Sequence, residues 1–208
     1  NSNDLKRNAV QAAQKADVVL MTMGITPEIE GEELGVKLPG FLGGDRTKIE
    51  LPQIQKDLIK EINKLNKPIV LILMGGGAFA LTEEDRICDA ILEAWYPGQS
   101  GGTAVADVLY GDYNPAGRLP LTFYKSTKDM PAFRNYDMDG RTYRFFEGEP
   151  LYPFGYGLSY TSFSYKNLEI PKSINSSDSC EISVEVKNTG SLAGDEVIQV
   201  YVEDLESS

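Results

Sequence analysis

The run Pro68-Ile69-Val70-Leu71-Ile72-Leu73-Met74 constrains this chain more than any other stretch, because it holds no polar side chain at all. A strand apolar on both faces must be covered on both faces, which is the situation of a central strand in a parallel sheet. Two further runs, residues 17–23 and 90–96, are apolar but for Asp17, Thr22 and Glu93. The spacing therefore predicts central strands at 17–23, 68–74 and 90–96. Helical patterns stand between them. Asn3 or Asp4 can cap a helix to about Lys15, and Pro52 suits the first turn of a helix to Leu65 with Leu58, Ile59 and Ile62 on one face. A short helical turn is expected around Glu83–Cys88 and a helix over Thr103–Leu109. Leu119–Phe123 is expected as an edge strand, since Pro120 cannot donate to a ladder. Helix alternating with apolar strand implies an α/β fold: a mostly parallel open sheet flanked by helices.

After Tyr165 the period changes. Glu181–Lys187 alternates strictly, Asn188-Thr189-Gly190 makes a turn, and Val197–Val202 is a second predicted strand. A β-sandwich needs about seven strands, so this is read as a truncated all-β segment. The 208 residues accommodate one domain and a fraction. The predicted domains are residues 1–160 and 161–208.

The chain has no histidine, which excludes Ser-His-Asp and Cys-His nucleophile systems and His-ligated zinc within it. The two cysteines, Cys88 and Cys180, form no metal motif and fall in different predicted domains. Acid–base chemistry is left to Asp, Glu, Lys, Tyr or Cys. A net charge of −11 argues against nucleic acid as a partner. No apolar run of membrane-spanning length is present, and the opening residues NSNDLKRNAV lack a basic-then-apolar secretory pattern.

Four features carry candidate chemistry. The acidic cluster Glu28, Glu30, Glu32 and Glu33 lies in a long polar stretch after the first strand, where open α/β sheets place ligand sites. Crowded carboxylates raise one another's pKa, as a general acid near neutral pH requires; the same composition also suits a solvated surface run. Asp45-Arg46 follows, and the arginine either pins the acidic loop by an ion pair or makes a routine surface pair. Gly75-Gly76-Gly77 matches neither GxGxxG nor a P-loop, so a tight turn with close backbone approach is expected. Trp95 and Tyr96 are aromatics that could stack on a sugar, although core packing is their commoner fate.

Four longer segments resemble one family. AWYPGQSGGTAVADVLYGDYNPAGRLPLTF (94–123) is similar to the signature of the second domain of family 3 glycoside hydrolases. LYPFGYGLSYTSFSY (151–165) resembles the segment joining that domain to a fibronectin type III-like domain, NTGSLAGDEVIQVYV (188–202) the start of that domain, and GDRTKIELP (44–52) the stretch ahead of a helix. The family includes β-glucosidases, β-xylosidases and N-acetylglucosaminidases.

The resemblance implies an exo-acting β-glycosidase that retains anomeric configuration by double displacement, needs no cofactor and acts on an oligosaccharide. It implies an aspartate nucleophile on an N-terminal TIM-like barrel, outside these residues, so this chain alone would be inactive. The acid/base is commonly a glutamate ahead of the GDR stretch. A pattern of the form S-G-E-G-Y laid on Glu30-Gly31-Glu32-Glu33-Leu34 puts it at Glu32; a pattern I-E-A-E laid on Ile29-Glu30-Gly31-Glu32 puts it at Glu30 in an alternative register. Asp45 and Arg46 become substrate-binding positions. GRTYRFFEGEPLYPFGYG looks more like xylosidase-type members, and the family implies a periplasmic or secreted protein. Two rivals remain: a non-catalytic carbohydrate-binding module, and a flavodoxin-like nucleotide-binding protein using Gly75–Gly77.

Overall fold

The computed structural model describes every residue except 1, 31–34, 176, 204 and 206–208. In chain order the elements are α1 (Ser2–Gln14), β1 (Val19–Gly24), α2 (Pro27–Glu30), β2 (Phe41–Leu42), β3 (Asp45–Arg46), α3 (Gln53–Asn63), β4 (Ile69–Met74), α4 (Thr82–Ile87), β5 (Ala90–Glu93), α5 (Gly101–Tyr110), a 3-10 turn at Thr127–Asp129, α6 (Thr142–Phe145), β6 (Phe163–Glu169) and β7 (Ser183–Asn188). The chain divides into two compact units, one of Asn1–Val105 with Pro120–Phe154, the other of Ala106–Leu119 with Gly155–Ser208.

The first unit is built on a parallel sheet of order β1-β4-β5, flanked by helices. The apolar run at 68–74 forms β4, and it is the central strand: Ile69, Leu71 and Leu73 are fully buried and Ile72 nearly so. Each such side chain contributes about 2 kcal/mol on burial. Helix α3 lays Ile59 and Ile62 into the same core, and Phe79 and Leu81 enter from the segment after β4. Pro52 stands just outside α3 as its N-terminal cap residue, not within the first turn, and its carbonyl accepts from the Gln55 and Lys56 amides. At the other end Asn66 takes a left-handed conformation (φ 53°), and Pro68 then starts the strand.

The expected strands at 17–23 and 90–96 also form, but they flank β4 rather than lie central, and β5 stops at Glu93. The early stop has a local cause. The Trp95 amide donates to Glu93 Oε1 at 3.1 Å, and Trp95 is left-handed (φ 51°), which turns the chain off the ladder. Among the described residues the outer edge of β1 carries no ladder. Val18 and Leu20 stay about half exposed there, beside a groove lined by Ala9, Ala12, Ala13 and Ala16 of α1 and its approach.

Gly24 closes β1 under tight constraint. Its φ is +126°, and a Cβ would stand 1.7 Å from the Met74 carbonyl oxygen. The Gln55 side chain brackets the same residue, accepting from its N–H at 2.9 Å and donating to its carbonyl at 2.7 Å. Helix α3 is thereby tied to the carboxyl end of β1.

Leu119–Phe123 is not a strand: only Phe123 makes a bridge, to Tyr152. Pro120 has no N–H, and one bridge does not nucleate a ladder. In the second unit β6 and β7 form an antiparallel pair with a register shift between Lys166 and Glu169. The predicted strand Val197–Val202 does not form among the described residues. β6 and β7 pair with each other, and Val197, Ile198, Val200 and Val202 remain exposed, so neither a ladder nor a buried face supports it. Arg118 and Glu196 form a largely buried ion pair of 2.8 Å within this unit. Cys88 and Cys180 are both free, and burial pushes the Cys88 thiol up to about 12.

Candidate active site at the carboxyl end of the sheet

Three chain segments leave the carboxyl ends of β1, β4 and β5 and meet. From β1 the chain passes through Ile25, which is buried and donates its amide to the Met74 carbonyl at 2.9 Å. Thr26 then opens the single turn of α2, its carbonyl accepting from the Ile29 and Glu30 amides. From β4 come Gly75, Gly76 and Gly77. From β5 come Trp95 and Tyr96, joined to the glycine turn by the Gly75 amide donating to the Trp95 carbonyl at 3.3 Å.

The meeting point is polar. The Tyr96 hydroxyl donates to Glu30 Oε2 at 2.5 Å. Partial burial, together with the bond to Glu30 and its charge, pushes the Tyr96 phenol up to about 12. Gly76 lies directly beneath this pair: a Cβ there would stand 3.1 Å from both Glu30 Oε2 and a Tyr96 ring carbon. At Gly75 a Cβ would stand 2.6 Å from the Phe79 ring. The triple glycine is therefore a tight turn under close approach.

Arg46 borders the same place. Its Nη1 donates to the Ala78 carbonyl at 3.0 Å and its Nη2 to the Ile49 carbonyl at 2.9 Å, with the guanidinium over the Phe79 ring. Burial pushes its pKa below the ordinary value, against the opposing charges of Glu30, Tyr96 and Glu50. Among the described residues Arg46 makes no ion pair within 4 Å, and a pair to Glu32 or Glu33 lies outside them. Backbone carbonyls take its donors, a cheaper way to hold a half-buried guanidinium than desolvating a carboxylate beside it. Asp45 sits on β3 opposite Leu42 and is exposed.

Of the acidic cluster, Glu30 joins Tyr96 and Gly76. Glu28 stands on α2, where a hydrogen bond from Thr26 holds its carboxyl below the usual range. Glu32 and Glu33 lie outside the described residues.

Two carboxylates escaped the sequence reading. Glu93, at the end of β5, is pushed up to about 7 by burial, against the bond from the Trp95 amide. Its Oε2 has no hydrogen-bond partner among the described residues. A single acid inside the apolar run AILEAWY was the signal. Glu50 accepts from the Thr127 amide at 3.0 Å and the Thr127 hydroxyl at 2.6 Å. Burial opposes its ionisation, but the Thr127 and Ser126 bonds outweigh it and hold the carboxyl below its usual value.

A phenol, a carboxylate and a guanidinium thus converge on a side-chain-free turn. The model of the glycosyl hydrolase family 3 C-terminal domain matches residues 2–160. The chain belongs to glycosyl hydrolase family 3. Within that family it is 47% identical over 188 residues to a xylan 1,4-beta-xylosidase of Xylanibacter ruminicola, covering 90% of this chain and 22% of that enzyme. It is 42% identical over 213 residues to a periplasmic beta-glucosidase of Salmonella typhimurium, covering 96% of this chain and 26% of that enzyme. Among solved structures, the beta-glucosidase from Listeria innocua in complex with glucose superposes with a TM-score of 0.80 at 33% identity, over 100% of this chain and 29% of that one. This family 3 chain therefore spans about a quarter of the length of the relatives it matches. Its parallel sheet flanked by helices is the architecture expected for the family's C-terminal domain. No helix among its described residues is long and apolar enough to cross a membrane.

Proposed function

We propose that this chain supplies the acid/base side of a retaining, exo-acting β-glycosidase of xylosidase type, which removes terminal sugars from oligosaccharides. The observation that carries the reading is the placement of the acidic segment. Glu30 is held at the carboxyl end of the sheet beside Tyr96, Gly76 and Arg46, within a family 3 domain. Glu30 Oε2 is engaged by the Tyr96 hydroxyl, so Glu30 serves as an anchor and Glu32 is the acid/base. Arg46 and Asp45 border the substrate, Arg46 as a fixed positive charge and Asp45 as an exposed acceptor.

The nucleophile belongs to an N-terminal barrel domain of the same parent protein. In a retaining mechanism the two carboxyl groups stand about 5 Å apart across the glycosidic bond. Glu32 protonates the leaving oxygen as the aspartate attacks the anomeric carbon. It then takes a proton from the water that releases the sugar. Neither step needs a metal or an organic cofactor. Residues 1–160 form the α/β domain in this reading and 161–208 the start of a fibronectin type III-like domain. The lean to xylosidase is supported by the 47% identity to the Xylanibacter enzyme, and a periplasmic or secreted location by the periplasmic relative.

The test uses the complete enzyme. Glu32→Gln should lower kcat about 10²–10⁴-fold on substrates with poor leaving groups. The loss should shrink on activated aryl glycosides, and azide should partly restore turnover. Glu33→Gln should stay near wild type. If Glu30→Gln carries this pattern instead, the acid/base is Glu30. If neither does, the acid/base lies elsewhere in the parent protein, and the cluster is substrate-binding or a solvated loop.

A further inference from the structure

We infer that Tyr96 is a positioning residue for Glu30, acting through its hydrogen bond to that carboxylate. This rests on the acid/base reading above. Glu30 is the last residue of α2 and directly precedes residues 31–34 in the chain. α2 is one helical turn with no buried side chain of its own. Burial therefore does little to fix where Glu30 sits. The Tyr96 hydroxyl supplies the constraint, bonding Glu30 Oε2 at 2.5 Å and the Ile25 carbonyl at 3.4 Å. A bond to a charged acceptor is short and strong, and here it bridges 66 residues of sequence.

The tyrosine is itself held. Trp95 is left-handed, a conformation that a bulky residue adopts only when its surroundings impose it. Glu93 Oε1 accepts the Trp95 amide, the Trp95 carbonyl accepts from Gly75, and the indole packs edge-on against buried Phe123 with ring centroids 6.3 Å apart. The turn at Trp95 aims Tyr96 back over Gly76, where the absent Cβ leaves room for both Tyr96 and Glu30. A strained Trp95 and the bare Gly76 together bring one hydroxyl to one carboxylate. An aromatic placed there only for packing would need neither.

The closing experiment is a double-mutant cycle in the complete enzyme, with Tyr96→Phe, Glu30→Leu and both together; leucine removes the acceptor, which Glu30→Gln would keep. Each is assayed on a sugar-leaving substrate and on a dinitrophenyl glycoside. Tyr96→Phe should lower kcat about tenfold on the first substrate with KM unchanged, and less than about twofold on the second. The double variant should be no worse than Glu30→Leu alone, because each of the two substitutions removes the same bond. Additive effects, an equal loss on both substrates, or wild-type rates for Tyr96→Phe would each overturn the inference. The acid/base reading fails on a separate variant, by a Glu32→Gln profile without leaving-group dependence, so the two failures are distinguishable.

Discussion

The Arg46 guanidinium lies over the ring of Phe79, its Cζ 4.4 Å from the centroid, and Phe79 is completely buried. One cation thus stacks on an aromatic face while two of its nitrogens reach carbonyls of different segments. A lysine cannot do both, since it offers a point charge without the planar fork. Arg46→Lys is expected to destabilise the domain by about 1–3 kcal/mol. Denaturant unfolding of the complete enzyme variant checks it, and the shift should resist added salt because these contacts are partly buried.

Gly24→Ala should be far more damaging. The added carbon meets the Met74 carbonyl oxygen at 1.7 Å, at a φ of +126° that alanine avoids. Relief requires moving β1 away from β4, which breaks the ladder on which the core rests. A loss of about 4 kcal/mol or more is expected, read as failure to accumulate soluble protein or as a large drop in Tm. Gly35→Ala, with open space around its Cβ, is the control and should be neutral.

Glu93 makes stability depend on pH. Its carboxyl is pushed up from 4.5 to about 7, so the folded chain keeps a proton that the unfolded chain has released. Stability from this group is complete below about pH 4.5 and falls as pH rises through 7, by at most about 3 kcal/mol. Glu93→Gln retains the acceptor for the Trp95 amide and cannot ionise. The variant should lose this fall in Tm between pH 5 and 8, and should be more stable than wild type at pH 8.

The chain by itself should not hydrolyse aryl xylosides or glucosides. It contributes one carboxyl of the pair in the proposed mechanism, and a retaining enzyme needs both. Nitrophenol release above background by a homogeneous preparation would contradict this.

β4 was legible because seven consecutive apolar residues admit one environment, and α3 because Leu58, Ile59 and Ile62 fall on one face. The end of β5 was not legible, since a hydrogen bond from the Trp95 amide to its own neighbour's carboxylate overrides an apolar pattern without altering it. Val197–Val202 shows the opposite failure: alternation marks a segment fit for a ladder, and the ladder depends on a second strand that the pattern does not contain. At the site, Glu30 could be placed near a strand end from the order of elements alone. Its bond to Tyr96 could not, because the partners are 66 residues apart. Arg46 shows the same limit among the described residues, where its donors go to backbone carbonyls. Nearby acids suggested an ion pair, and the fold delivers the Ala78 carbonyl from 32 residues away.

Among the described residues the outer edge of β1 is bare, which bears on how the separate chain meets its own copies. Its outward amides and carbonyls form a template for strand addition, and the sequence VLMTMG supplies no charge, proline or bulge to discourage a second molecule. Exposed Val18 and Leu20 add apolar surface at that seam. Two copies meeting there would extend the sheet across molecules, the first step toward larger assemblies.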